Sequence, residues 1–255
     1  MKPANSDELD CCPIKLGNGN SILLSQALAK LLLSCRRNYA WPDHETPLAS
    51  QARIIQLERD TETLLSHLDD ASAHEIMLRV SKWAGNRKYR LLEAAVPTQN
   101  GQFAELISAL GHQRTYERGL RGLSEVPGIS LVVASKILRF CAPEYGASVD
   151  RHCSYFFNSL RILSDSGEIQ ATSFKREWKD VNHKESRLAS FSKPTFDYNL
   201  CEYLVKYLPL LGSIAAGLNE QNLLYECAVS RQYQYWRPAD VEMAAYQWWS
   251  RNGSK

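Results

Sequence analysis

Apolar residues recur every three or four positions along most of this chain, and no other feature restricts its fold as tightly. Between Ile22 and Leu33 they fall at 23, 24, 27, 28, 31 and 32, one face of a helix, and Ser21 stands where the cap of a run through Arg37 belongs. Pro47 occupies a first-turn position ahead of a pattern that reaches Leu68. Ser72-Ala73-His74-Glu75 has the form of a capping box, with Gly85 just past the end of that helix. Further helical patterns cover about 88–96, 102–110, 115–124, 131–140, 151–163, 174–189 and 196–218. A last helix starts at Pro238 and carries Val241, Ala244, Ala245, Trp248 and Trp249 on one side. Strict alternation over four to eight residues is nearly absent, so the expected class is all-α. Residues 164–173, with Gly167, form the most loop-like stretch and are too short for an interdomain linker.

A chain of 255 residues buries about three-quarters of its unfolded surface, so it can hold one large domain or two small ones without a disulfide or metal. Hydrophobic residues at 44% and charged residues at 23% are globular values and exclude wholesale disorder. The apolar stretch Ile22–Leu33 is broken by Ser25, Gln26 and Lys30, so it cannot span a bilayer. Asp7, Glu8 and Asp10 leave the N-terminus without the apolar core of a secretory signal, and a cytoplasmic protein is expected. Cysteines at 11, 12, 35, 141, 153, 201 and 227 form no CxxC pair or zinc-like group. They read as reduced thiols, mostly buried, and neither metal nor cofactor is expected.

The small net charge of +2 conceals an asymmetry. Residues 1–78 carry seven Lys/Arg against eleven Asp/Glu, whereas residues 79–139 carry ten against four. The middle of the chain is therefore the candidate face for an anion, although solvated helix faces give the same count.

The segment Leu120–His152 sharpens this. A helix ends near Val126, the chain turns through Pro127-Gly128-Ile129-Ser130, and a second helix begins at once. Pro127 pre-sets φ for a turn, and Gly128 permits a positive φ or a close backbone approach. Amides at the start of a helix lack intrahelical acceptors and lie at a positive dipole end, a ready site for phosphate. Ala134, Ile137 and Leu138 pack the second helix. Pro143 and Gly146 then shape a loop that ends in Val149-Asp150, with Asp150 placed to cap a helix starting at Arg151.

This pattern resembles the helix-hairpin-helix DNA glycosylase superfamily: the hairpin, the Gly/Pro loop, and an aspartate 22 residues after the hairpin glycine. The match covers about 35 residues directly. It departs from the family at Ser130, where a second glycine is usual. The resemblance implies two helical domains with the active-site cleft between them. Residues 46–149 would form the central domain, with its hairpin at about 115–140. Residues 1–45 and 150–255 would form the other.

The resemblance further implies that Asp150 is the catalytic carboxylate and that Gly128, Ser130, Val132 and His152 contact DNA phosphate. In bifunctional members a lysine lies four residues past the hairpin glycine and attacks the sugar; here that position is Val132. The chain is thus similar to the monofunctional branch, which leaves an abasic site, and Lys136 is the nearest other amine. Family position suggests the loop from Trp83 through Asn86 and Arg87 as the wedge that fills the space of an extruded base. Tyr233, Tyr235 and Trp236, in a pre-helix loop, could line the base pocket.

The implied activity is hydrolysis of the N-glycosidic bond of a flipped damaged or modified base in double-stranded DNA, by a monomer, in base-excision repair or in defence against phage DNA with modified bases. Two alternatives stay open: a non-catalytic helix-hairpin-helix DNA-binding protein, and a helical scaffold in which the PG turn is only a corner.

Overall fold

Helix starts follow the local chemistry of the chain, with instructive exceptions. The computed structural model describes residues 12–15, 21–24, 26–42, 44–95, 101–164, 167–178, 186–188 and 193–252. After α1 (Gln26–Arg37), the Thr46 hydroxyl accepts the Ala49 amide and Pro47 opens α2 (Pro47–Leu65). α3 (Asp70–Trp83) has its cap three residues before the expected Ser72, because the Asp69 carboxylate accepts the Ser72 amide at 2.7 Å. The earlier start places Ala73, Ile76, Met77 and Val80 on one buried face. α4 (Tyr89–Glu93), α5 (Gln102–Leu110), α6 (Tyr116–Glu125), α7 (Leu131–Cys141) and α8 (Arg151–Ser159) follow.

Strands occur where helix was expected. Ser21, expected to cap a helix, instead opens β2 (Ser21–Leu24), which pairs antiparallel with β1 (Cys12–Lys15), from Cys12 opposite Leu24 to Lys15 opposite Ser21. The intervening sequence, Gly17-Asn18-Gly19-Asn20, has hairpin composition. The helix expected to run to 163 stops at Ser159. Beyond it, β3 (Arg161–Ser164) and β4 (Gly167–Gln170) build a hairpin from the supposed loop, completing a sheet of order β1-β2-β3-β4. The described residues of 174–189 are not helical either: β5 (Arg176–Trp178) pairs with β6 (Ser186–Leu188). Here the backbone bonds go to distant side chains. Asn158 accepts the Phe174 amide, and the Asn199 amide group both accepts from and donates to Lys175. A segment so satisfied gains nothing by coiling.

The pattern at 196–218 is one continuous rod with a widened turn: α9 (Lys193–Glu202), a π-turn (Tyr203–Tyr207) and α10 (Leu208–Glu220). Pro209 cannot donate to the preceding turn, and its ring crowds the carbonyl four residues back, which is where the helix opens. β7 (Tyr225–Glu226) and β8 (Tyr233–Gln234) form a small hairpin before α11 (Pro238–Asn252), which starts where the proline placed it. The described chain is mostly helical, with few short strands.

α11 packs on α1, α8 and α10, so elements from both ends of the sequence meet around it. α7 packs on α2, α3 and α6, and α3 also on α5. A buried ion network crosses between these groups. Arg36 of α1 reaches Asp240 of α11 at 2.9 Å, Tyr225 donates to the same carboxylate, and Arg237 bridges Asp240 and Glu58 of α2. Among the described helices none is long and apolar enough to cross a membrane.

Candidate active site and phosphate-binding turn

The turn between α6 and α7 is of type II. The Ile129 amide donates to the Val126 carbonyl at 3.0 Å, Pro127 takes the second position and Gly128 the third, with φ of +90°. Gly128 meets both conditions that favour glycine, because a Cβ there would also lie 2.7 Å from the Lys88 carbonyl oxygen. The loop after α3 holds the turn from outside: Asn86 Nδ2 donates to the Gly128 carbonyl at 2.9 Å, and its Oδ1 accepts the Lys88 amide. Ser130 precedes α7 in extended conformation, but its side chain makes no capping bond. The first-turn amides of α7 therefore lack both an intrahelical and a side-chain acceptor, unlike those of α2, α3 and α8.

Asp150 lies at the other end of α7's neighbourhood, at the start of α8. Its Oδ1 accepts the Cys153 amide at 2.9 Å, and its backbone carbonyl accepts the Ser154 amide. The N-cap bond commits one carboxylate oxygen to the helix. The four residues before it, 146–149, are buried and held on two sides. Ser135 of α7 accepts the Val149 amide at 3.0 Å, while the hydroxyls of Tyr203 and Tyr207 in the π-turn donate to the carbonyls of Ala147 and Ser148. Gly146 fits directly against α7, where a Cβ would stand 2.8 Å from the Leu138 carbonyl oxygen. Asp150 thus follows a segment held between α7 and the π-turn.

Two charged side chains are buried near it. Lys136, 8% exposed, projects its ammonium over the rings of Trp83 (5.1 Å) and Trp41 (5.8 Å). Glu242 of α11, 3% exposed, accepts the Cys153 thiol. Burial pushes the Glu242 carboxyl up to about 7, against the opposing pull of Lys136 and Arg139 and with the help of the Asp150 charge. Burial and the Asp150 and Glu242 charges likewise raise the Cys153 thiol well above its ordinary value, so it stays protonated and is no nucleophile. Trp41 donates its indole N–H to the Trp83 carbonyl and meets Tyr246 edge-on, and His152 packs edge-on to Tyr246 from the other side. The His152 ring also meets the Arg151 guanidinium at 3.2 Å.

The residues expected from sequence separate into groups. Asp150, Lys136, Trp83 and His152 gather in one region, and Gly128, Ser130 and Asn86 form the turn with its latch. Val132 lies on the first turn of α7, half-buried, and Arg87 is exposed beside the latch. Tyr233 and Tyr235 are exposed on and just after β8, whereas Trp236 is buried against Tyr225 and donates its indole N–H to the Leu223 carbonyl. Tyr235 lines a different cavity. The sequence reading passed over Trp41, Glu242 and Tyr246. A glutamate inside Val241-Glu242-Met243-Ala244-Ala245, otherwise an apolar run, was the one available signal. It also passed over Leu91, an exposed apolar side chain packed close to Gly128.

Glu242 carries a pH prediction. The folded state binds its proton more tightly than the unfolded chain, so the stability this group contributes is fully present below pH 4.5 and is lost as pH rises through about 7. The shift corresponds to about 3 kcal/mol. Glu242→Gln removes that slope and leaves the protein more stable than wild type at pH 8, as read by urea unfolding at pH 5 and pH 8. Identical slopes in the two proteins would contradict it.

Comparison with models of protein families, with curated proteins and with solved structures finds no match for this chain.

Proposed function

We propose that this chain is a monofunctional DNA glycosylase of the helix-hairpin-helix type. Residues 46–149 would form one half, and residues 1–45 with 150–255 the other, with Asp150 acting between them on double-stranded DNA. The observation that carries the reading is the placement of Asp150. One oxygen is committed to capping α8, the backbone before it is clamped from α7 and from the π-turn, and the buried Glu242 carboxyl lies within reach of its charge.

In the proposed reaction the C1′–N bond breaks and its electron pair leaves with the base nitrogen. Positive charge grows on the sugar, water adds to C1′, and its proton passes to the Asp150 carboxylate. A carboxylate already oriented by a helix start needs no reorganisation as that charge develops. The free amides opening α7 and the type II turn would grip a backbone phosphate without reading sequence. Trp41 and Trp83, both partly exposed, are the candidate rings for a base taken from the stack. Leu91 and Arg87, beside the turn, supply an apolar wedge and a cation at the DNA surface.

The Lys136 ammonium is engaged with two indole rings, and the position from which a lysine would attack the sugar holds Val132. The test is a panel of duplex oligonucleotides carrying alkylated, oxidised, deaminated or bulky modified bases, together with phage DNA containing modified bases. Base release is expected on at least one substrate, with strand breaks only after alkali and no borohydride-trapped adduct. A trapped adduct would overturn the monofunctional assignment and point to Lys136. Salt-dependent DNA binding with no release from any substrate would instead make the protein a non-catalytic DNA-binding module.

A further inference from the structure

Lys136 is 8% exposed, and its ammonium bonds to no acceptor among the described residues. It is not sealed in: Nζ keeps contact with solvent, unlike the orphaned Nε and Nη1 of Arg139 one turn along α7. A cation so largely stripped of water is rare unless something else supplies the acceptor, and this one can be reached. Its company is aromatic. Trp83, at the end of α3, and Trp41, between α1 and α2, have ring centroids 5.1 and 5.8 Å from Nζ, and both rings keep part of their surface exposed. Three separate elements thus converge on a niche that offers one charged donor and two indoles.

Charge selects the ligand from both sides. The Lys136 cation already engages the indoles, so a second cation, such as an alkylated base with a fixed positive charge, would be repelled where aromatic rings alone would attract it. An anion meets the opposite difficulty. The buried Glu242 carboxyl interacts with Lys136, Arg139 and Asp150, so two acidic groups already share the neighbourhood of the two cations and no positive charge is left over. A neutral planar group with an acceptor on its edge satisfies both conditions.

We propose that Lys136 is a specificity-determining residue: the niche it forms with Trp41 and Trp83 takes a neutral base whose carbonyl oxygen accepts from Nζ while the ring lies against the indoles. The step from ligand to substrate rests on the proposed function, under which the released base is a deaminated one, such as uracil or hypoxanthine, and not a cationic alkylated one. The full-length protein is titrated by calorimetry with uracil, hypoxanthine, benzoate, which is a planar anion, and N-methylquinolinium, which is a planar cation. Uracil or hypoxanthine is expected to bind about tenfold more tightly than either ion, the size of one hydrogen bond to a charged group. Lys136→Met keeps the length of the side chain and removes its charge. It is expected to weaken the carbonyl bases by about tenfold and to bind N-methylquinolinium more tightly than wild type does, because the rings are released to a cation from outside. Trp83→Leu keeps the ammonium, removes one ring and is expected to weaken the carbonyl bases as well; thermal melting checks that each variant is folded. No binding of either carbonyl base, tighter binding of either ion by wild type, or unchanged binding in a folded variant would overturn the proposal. Release of bases from duplex DNA, measured alongside, separates the two readings. Release without binding of uracil or hypoxanthine would sink the Lys136 proposal alone, and binding without release would sink the proposed function alone.

Discussion

If the chain is the proposed glycosylase, Asp150→Asn is expected to lower the rate of base release by about a thousandfold while leaving the protein folded and able to bind DNA. The stability half of this expectation follows from capping chemistry. Asparagine caps helices about as well as aspartate, so its side-chain oxygen still accepts the Cys153 amide. The clamps on residues 146–149 come from Ser135, Tyr203 and Tyr207 and do not involve the carboxylate. The rate half follows from charge. At about 4 Å and an effective dielectric near 20, a carboxylate stabilises a developing cation by on the order of 4 kcal/mol, which is roughly a thousandfold in rate. Single-turnover formation of abasic sites measures the first effect, and thermal melting with a DNA-binding titration measures the second. An unchanged rate would end the glycosylase reading.

Asp240→Ala is expected to have the largest effect on stability, about 3–5 kcal/mol, with its cause far from the chemistry. Asp240 is fully buried and accepts from Arg36, Tyr225 and Arg237. Removing it strands the Arg36 guanidinium in the core without a carboxylate and leaves the part-exposed Arg237 with Glu58. Burial alone would raise the Asp240 carboxyl, but the two arginines and the Arg237 amide outweigh it and hold the group below its ordinary value of 3.8. Its contribution is therefore complete above that pH and is lost as pH falls through the lowered value. Urea unfolding at pH 7 should show the full loss, and the difference between wild type and Asp240→Ala should narrow in strong acid. A loss below 1 kcal/mol at pH 7 would mean that the arginines find other partners.

The parts of the fold legible in advance were those whose cause is local. Pro127 and Gly128 specify their turn through their own φ preferences, Pro47 and Pro238 mark helix starts because they lack an N–H to lose, and Asp150 caps the residues just after it. Misreadings came where a local preference was overruled from a distance. The Ser72–Glu75 pattern was a sound cap signal that lost to Asp69, one turn earlier. Residues 174–178 lie extended because Asn158 and Asn199, from two separate helices, take their backbone bonds.

The candidate site divides along the same line. Backbone geometry and capping, which depend on a few consecutive residues, are written in the chain: the type II turn, the start of α7 and the carboxylate at the start of α8. The company Asp150 keeps was decided only by packing. Trp41, Trp83, Lys136 and Glu242 are distant in sequence, and their surroundings come from the desolvation and ring contacts that arise where side chains from separate elements meet. Tyr235 went to another cavity for the same reason, since periodicity tells which face of an element is buried but not what it is buried against.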